Sequence, residues 1–297
     1  MNVNNMPLVS VVIPTYNGME FLPHAVNSVL EQDYPNLELI IVNDGSIDET
    51  AAYLSGFKDR RVIRIWQPNQ GEQVAVNTGL KAVRGKYFII LNSDDILLAG
   101  VITSLFNIME VCPKVLCAYP DWVTINEQGK ARRWVKTREW DFAWMIAHHN
   151  CIPSVGSMFR SSLIKQIGFR DTSYRWLGDF DYWFRVGLAG DMKRVPRYLA
   201  CWRTRDGQAS GAKSDARADE HVRIVKTLYQ NKNLPPALVA VAPQAKCWSH
   251  IVAASVAKSK WRVMKEICLA VSAYPFMLVN IGFWDAFYRR ALYILRR

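Results

Sequence analysis

The sequence lacks the short motifs that identify many metal and nucleotide sites. Its six cysteines form no C-x-x-C pair and its five histidines form no H-E-x-x-H motif, so no zinc site is expected. No G-x-G-x-x-G follows the first predicted strand, which argues against a dinucleotide-dependent oxidoreductase. Gly79 to Lys86 is not a P-loop, because five residues separate Gly79 from Gly85 and Tyr87 replaces the Mg²⁺-binding Ser or Thr. One glycine, Gly18, in the first loop disfavours a nucleotidyltransferase.

The sequence also shows no secretory signal before the first strand, no internal repeat and no low-complexity segment. We therefore expect a cytoplasmic protein with reduced thiols. Half of the 297 residues are hydrophobic, enough for a sheet covered on both faces. The net charge of +11 is unevenly distributed along the chain. From Pro243 onward nine Lys and Arg and two acids give +7, and the preceding residues carry only +4. Basic charge in an aromatic-rich tail argues against a nucleic-acid partner.

Three apolar segments run into polar residues at their carboxyl ends. They lead into Pro14-Thr15-Tyr16-Asn17-Gly18, Asn43-Asp44-Gly45-Ser46 and Asn92-Ser93-Asp94-Asp95. Such runs are typical of buried parallel strands, and ligands of open α/β sheets bind beyond the carboxyl ends of these strands. Adjacent carboxylates suit Mg²⁺ or Mn²⁺ held together with substrate phosphates. The pattern predicts a metal-bound nucleotide, with helix capping by Asp94 and Asp95 as the alternative.

Hydrophobic spacing predicts alternating strands and helices in the first half, and hence an α/β fold with a mostly parallel sheet. The second half is expected to begin with a β-hairpin and to contain a helix that opens with acids. The predicted helices are Met19–Gln32, Asp48–Phe57, Glu72–Val83, Trp140–Ala147 and Asp179–Leu188, with a helical turn at Leu163–Ile167. The predicted strands after the first two are Val62–Trp66, Tyr87–Leu91, Val115–Ile125, Ala131–Val135 and Ser154–Arg160.

The polar strand ends, together with Asn69-Gln70-Gly71 and the segment Gly178-Asp179-Phe180-Asp181-Tyr182-Trp183, occur in an ordered series. In this order the chain resembles the family 2 inverting glycosyltransferases of GT-A fold, over roughly residues 8 to 210. The resemblance implies a metal-dependent hexosyltransferase that takes its sugar from a nucleotide-sugar donor, with UDP- or dTDP-linked donors favoured. The implied acceptor is lipid-linked or a polysaccharide of the cell envelope. A non-catalytic nucleotide-sugar binding or scaffold protein is the open alternative.

The resemblance also implies roles for individual residues. Asp95 is expected to hold Mn²⁺ or Mg²⁺, with Asp94 sharing the ion or touching the ribose, and Asp179 is expected to be the general base. The alternative for Asp179 and Asp181 is that both only cap a helix. Many family members have Asp at Asn43 and Asn92 and Arg at Val76, so Arg203 is a candidate for the missing diphosphate contact. The expected donor-binding residues are Pro14, Thr15, Tyr16, Asn17, Asp44, Gly71, Gln73, Asn77, Asn92, Ser93, Asp94 and Arg203.

The chain is expected to have three parts. Residues 1–214 form the catalytic domain, with a donor half at about 1–112 and an acceptor half at about 113–214. Residues 215–242 form a helical extension, and residues 243–297 a basic helical tail that holds the protein peripherally on the cytoplasmic face of the membrane. The alternative is a helical hairpin packed on the catalytic domain or across a homo-oligomer. The tryptophans that could stack on acceptor sugars, or serve the core, are Trp122, Trp134, Trp140 and Trp144.

Overall fold

The computed structural model of the protein describes residues 6–205, 208, 211 and 213–279. The chain divides into two compact units. The first contains the residues up to Asp141 together with Cys151–Gly211, and the second contains Phe142–Asn150 with the described residues after Ala212. The segment 142–150, which the sequence analysis places in the acceptor half, therefore belongs to the second unit.

The first unit is built on a mixed sheet, which has nine strands within the described residues in the order β3-β2-β1-β4-β8-β6-β9-β5, with β7 paired to β6. Strands β1 to β4 pair in parallel, as predicted, and β6 also pairs in parallel with β9. The pairs β4–β8, β6–β8, β6–β7 and β5–β9 are antiparallel. The strands are β1 Val9–Thr15, β2 Leu37–Asp44, β3 Val62–Gln67, β4 Tyr87–Ile90, β5 Ile96–Leu97, β6 Cys117–Ile125, β7 Ala131–Val135, β8 Met158–Arg160 and β9 Met192–Arg203.

The described helices alternate with the first strands and then dominate the second unit. Helices α1 to α4, α6 and α7 belong to the first unit, and α5 and α8 to α11 to the second. They are α1 Leu22–Leu30, α2 Thr50–Ser55, α3 Glu72–Ala82, α4 Val101–Val111, α5 Phe142–Ala147, α6 Ser162–Ile167, α7 Gly178–Ala189, α8 Asp215–Leu228, α9 Pro236–Ala240, α10 Ala242–Val256 and α11 Lys260–Ala273, followed by a 3₁₀ helix at Pro275–Leu278.

Helices cover both faces of the first strands, which explains why those strands are apolar throughout. On one face α1 buries Leu22, Val26 and Val29 in a cluster that includes Val11 and Leu39. Each such side chain stabilises the fold by about 1.5–3 kcal/mol when fully removed from water. On the other face α3 approaches β1 closely, because a Cβ at its Gly79 would stand 2.3 Å from Cγ1 of Val12.

Parallel pairing brings the polar strand ends to one edge of the sheet. Thr15 pairs with Asn43, and Asp44 pairs with Gln67 at the end of β3. The segment after β4 continues along β1, since the backbone N–H of Leu91 donates to the carbonyl of Val12 (2.9 Å). The expected convergence of these loops therefore follows from strand register.

The second unit is helical in its described part. A cluster of Cys247 and Trp248 on α10 with Ala270 on α11 and Met277 beyond it holds these segments together. No helix among residues 6–279 as described is both long enough and apolar enough to cross a membrane. The part of the predicted tail at 280–297 lies outside the described residues.

Candidate active site

The loops after β1 and β2 are bound to each other. Asn17 adopts a left-handed conformation (φ 49°), its N–H donates to Oγ of Ser46 (2.9 Å) and its Oδ1 accepts from the N–H of Ile47 (2.9 Å). Pro14 is buried within β1, as is Thr15 next to it, whereas Tyr16 is 48% exposed. Of these four expected donor-binding residues, Tyr16 and Asn17 are therefore exposed, whereas Pro14 and Thr15 are buried.

Asp44 organises the loop that leads into α3. One of its carboxylate oxygens accepts from Nε2 of Gln67 (2.7 Å) and the N–H of Gln70 (2.9 Å), and the other accepts from the N–H of Gly71 (2.8 Å). Gly71 has a φ of 90°, which favours glycine. Because Asp44 is only 2% exposed, the geometry favours a positioning role for it rather than the expected donor contact.

The first turns of α3 are joined to the segment that precedes α7. Oε1 of Gln73 accepts from Nη1 of Arg170 (3.1 Å), and it would lie 2.3 Å from any Cβ at Gly178. Asn77 binds the backbone of Arg170 twice, donating to its carbonyl (2.8 Å) and accepting from its N–H (2.9 Å). Both amides are buried and engaged with protein, so the geometry does not favour their expected donor contacts.

The two adjacent aspartates have different surroundings. Asp95 is 1% exposed, and its oxygens accept from the N–H of Arg203 (2.9 Å) and from Nδ2 of Asn92 (3.3 Å). Burial raises the pKa of Asp95 well above its ordinary value, the charge of Asp94 raises it further, and the bonds from Arg203 and Asn92 oppose the rise. Asp94 is more accessible and pairs with Arg205 (3.3 Å). The geometry thus favours Asp94 over the expected Asp95 as the main cation ligand.

Asn92 is exposed and Ser93 is half-buried, so both expected contacts are accessible at the edge of the sheet. The described residues contain no group of three or more His, Cys, Asp or Glu side chains arranged to hold a metal ion. A cation at Asp94 would therefore need other ligands, and one or two carboxylates with substrate phosphates are the usual set for Mg²⁺.

Arg203 is built into the protein, against its expected role in binding the diphosphate. It is 1% exposed, its Nε donates to the carbonyl of Asp94 (2.9 Å), and its Nη1 donates to the carbonyls of Asn126 (3.0 Å) and Glu127 (2.7 Å). These bonds join the acidic loop to the turn between β6 and β7. The neighbouring arginine, Arg205, is the accessible one, with 43% of its side chain exposed.

The two acids at the start of α7 are used differently. Asp181 forms an ion pair with Arg185 one turn later (2.7 Å), which is a common arrangement on a helix. Asp179 is exposed, and its Oδ1 accepts from the N–H of Phe180 (2.7 Å). Of the two acids, Asp179 therefore has the carboxylate that is open to an incoming group.

Glu72 is a site residue that the sequence analysis missed. Surrounding protein raises its pKa, the negative charges of Asp179 and Asp94 add to the rise, and Arg170 at 3.6 Å opposes it. Glu72 lies close to the start of α7, because Arg170 also donates to the neighbouring Gln73 and Gly178 packs against Gln73, and 54% of the Glu72 side chain is exposed. Its position at the start of a helix after Gly71 gave no signal in the sequence, because acids are common there.

Solved structures with similar folds support this architecture. A structure of Staphylococcus aureus TarS 1-349 in complex with UDP-GlcNAc has a TM-score of 0.67 at 16% identity and covers 90% of this chain and 89% of its own. The mannosyltransferase PcManGT from Pyrobaculum calidifontis, in complex with GDP-Man and Mn²⁺, has a TM-score of 0.62 at 17% identity and covers 99% and 82%. The chain thus has the GT-A fold.

Sequence relatives agree. An uncharacterized glycosyltransferase of Rickettsia prowazekii is 32% identical over 60% of this chain, which spans 58% of that relative's length. One from Haemophilus influenzae is 26% identical over 77% of this chain and 76% of its own length. The model of the family described as "Glycosyl transferase family 2" matches residues 10–167, more than half of the chain. The chain therefore belongs to glycosyl transferase family 2.

Proposed function

We propose that the protein transfers a sugar from a nucleotide-sugar donor to a lipid-linked or saccharide acceptor, with inversion at the anomeric carbon. The observation that carries this proposal is the convergence of the loops after β1, β2 and β4 at one edge of the sheet, with the accessible carboxylate of Asp94 in the last of these loops. Such an edge is where open α/β sheets bind ligands. A UDP- or dTDP-linked donor remains favoured, and the solved structures in complex with UDP-GlcNAc and GDP-Man define the donor class to be screened.

In this proposal Asp94 would hold Mn²⁺ or Mg²⁺, and Asp95 would fix the acidic loop through its bond from the N–H of Arg203. A cation there would stabilise the negative charge that the diphosphate gains as it leaves. Arg203 is buried, so in this proposal Arg205 supplies the basic contact to the diphosphate. Arg205 is accessible and already pairs with Asp94.

Asp179 is proposed to act as the general base. The acceptor hydroxyl loses its proton to the Asp179 carboxylate while its oxygen attacks the anomeric carbon and the bond to the diphosphate breaks. Asp181 is assigned no such role, since Arg185 already neutralises it.

Calorimetry and turnover separate this enzyme from a scaffold protein of the same fold. We expect UDP to bind more tightly with Mn²⁺ than in EDTA, and Asp94→Asn to remove that difference. Asp179→Asn should keep donor binding while transfer falls by about two to four orders of magnitude. The matched variant Asp181→Asn should retain most transfer. Tight donor binding without turnover in any acceptor screen would favour the scaffold protein. Full activity in excess EDTA would contradict the proposed role of the metal ion.

We also propose that the second unit contacts the cytoplasmic face of the membrane through α11. Trp261 is 77% exposed and Met264 62% exposed on this helix, and Phe276 beyond it is 69% exposed. The lysines at 258, 260 and 265, close to α11 or within it, are also exposed. Aromatic and aliphatic side chains beside basic residues suit an interface with anionic lipid.

Liposome flotation tests this proposal. Full-length protein should float with anionic vesicles, and the double variant Trp261→Glu, Met264→Glu should not. The control Ile47→Glu changes an equally exposed apolar residue of the first unit (86%) and should float like wild type. Wild-type protein that stays at the bottom, or an α11 variant that floats normally, contradicts the membrane contact.

A further inference from the structure

Trp134 and Tyr198 form an exposed aromatic corner on the sheet of the first unit. Trp134 is 62% exposed and Tyr198 37% exposed, and their ring centroids are 4.9 Å apart with planes at 87°. Trp134 lies on β7 opposite Val123, and Tyr198 lies on β9 opposite Asp121, so the rings meet across β6. The other three tryptophans considered in the sequence analysis are half-buried. Trp134 therefore does not serve the core.

The surroundings of this corner are basic. From Lys130 to Lys136 the sequence has four basic residues and no acid, and Arg132, Arg133 and Lys136 are all exposed. The acid beneath the corner, Asp121, is 3% exposed and bound to Arg194 (2.6 Å), which also pairs with the exposed Glu139 (3.0 Å), so the excess of basic charge lies on the strand of Trp134 itself. Aromatic faces beside cations are complementary to sugar rings that carry anionic groups, because the rings cover apolar C–H faces and the cations attract the anions.

The corner lies close to the candidate active site along the sheet. Arg203 pairs with Ile125, two residues beyond the Val123 position that faces Trp134, and β7 is two strands from β9. Strand geometry then places the backbones of Trp134 and Arg203 about 12 Å apart. The N–H of Arg203 binds Asp95 directly. A chain bound at Trp134 can therefore extend toward the acidic loop within a few sugar units.

We propose that Trp134 and Tyr198, with Arg132 and Lys136, bind the saccharide chain of an acceptor that carries carboxylate or phosphate groups, outside the site of transfer. This proposal deepens the proposed function. It rests on that function only in identifying the bound saccharide as the acceptor. A saccharide fits better than a membrane, because the turn of the β6–β7 hairpin, Asn126 to Lys130, is polar and the rings lie on the strands behind it. An inserting hairpin would present apolar residues at its turn.

Direct binding to full-length protein tests the proposal without turnover. The probes are fluorescent oligosaccharides of alginate and phosphomannan, with dextran as the neutral comparison. Trp134→Ala and Tyr198→Ala should each weaken binding of at least one anionic probe about tenfold or more, as expected for aromatic anchors. Arg132→Gln with Lys136→Gln should lower the preference for anionic probes over dextran. Trp66→Ala is the matched control and should bind like wild type, because Trp66 on β3 is 49% exposed, between Trp134 and Tyr198, and also lies next to an arginine, Arg64.

Unfolding midpoints and UDP titrations accompany each variant. Both should match wild type, which shows that the variants are folded and that the donor site is intact. The proposal is overturned if wild type binds neither anionic probe, or if Trp134→Ala and Tyr198→Ala bind both as wild type does. A requirement for Trp134 in binding phosphatidylserine vesicles, but not saccharide, would assign the corner to a membrane instead. Failure of wild type to bind UDP would count against the proposed function and leave the saccharide result standing.

Discussion

Replacing Arg203 with Met decides between a structural arginine and a diphosphate ligand. The guanidinium donates to three backbone carbonyls, of Asp94, Asn126 and Glu127, and its carbon lies 4.7 Å from the ring centroid of Phe21. Hydrogen bonds from a charged donor contribute about 1.5–3 kcal/mol each. Glu127 is exposed, so its carbonyl can be rehydrated and loses less. We expect Arg203→Met to lower the free energy of unfolding by about 3–5 kcal/mol, a large part of the usual total.

Urea unfolding of the full chain, followed by fluorescence and circular dichroism, measures this loss. Arg205→Gln is the matched control, because it removes an accessible arginine of the same loop whose ion pair is exposed and screened, and it should change stability by less than about 1 kcal/mol. Arg203→Lys should be intermediate, since lysine keeps the charge but not the planar fork of donors. Unchanged unfolding of Arg203→Met with loss of UDP affinity would refute this reasoning and restore the diphosphate role.

Three further variants test the framework by urea unfolding. Burial opposes ionisation of Asp121, yet bonds from Arg194 and Thr137 outweigh it and lower its pKa, so its stabilisation is present above about pH 4 and lost as pH falls. Asp121→Asn should therefore cost about 3 kcal/mol at pH 7 and flatten the acid limb. Gly79→Ala should destabilise by about 1–2 kcal/mol, because overpacking against Val12 exceeds the gain in helix propensity. Asn77→Ala should lower the free energy of unfolding by about 1–3 kcal/mol, because it leaves the backbone groups of Arg170 unpaired. For each of the three variants, unchanged stability would contradict the contacts assigned to that residue.

The first four strands and the helices between them could be predicted from the sequence because each of these strands carries its own signal, whereas β5 and α4 were not predicted. Segments such as Val9–Ile13 and Leu37–Val42 are apolar throughout and end in turn residues, so both their burial and their direction can be inferred. The register that joins their ends follows from parallel pairing. The same reasoning correctly identified the hairpin of β6 and β7.

Strand β9 could not be predicted in this way. Met192–Arg203 contains three arginines or lysines before Tyr198 and a proline at 196, so it has neither an apolar run over its length nor a clean alternation. It is a strand because it pairs in parallel with β6, about seventy residues earlier in the chain. That pairing brings the backbone N–H of Arg203 to Asp95 and buries the arginine side chain. The sequence shows the charge of Arg203 but not its burial, so it suggested a contact with the diphosphate.

The roles within the acidic pairs were likewise decided by partners rather than by sequence. Asp94 and Asp95 are neighbours in the chain, but the loop turns one toward Arg205 and the other toward the backbone of Arg203. Asp179 and Asp181 are separated by two positions on α7, and only Asp181 has Arg185 one turn later. Such partners are distant in sequence or depend on helix orientation. A sequence motif therefore identifies each pair of acids but not which acid has which role.

The negative charges of Asp94, Glu72 and Asp179 are the reason that the proposed function includes a cation. Glu72 stands at the start of α3, where a helix favours negative charge, yet its pKa is raised because the surrounding protein and two other carboxylates outweigh that effect. Asp94, Glu72 and Asp179 together exceed the positive charge of Arg170 and Arg205. A nucleoside diphosphate bound nearby would add more negative charge. In the proposed function, a divalent cation held by the accessible Asp94 would compensate this charge.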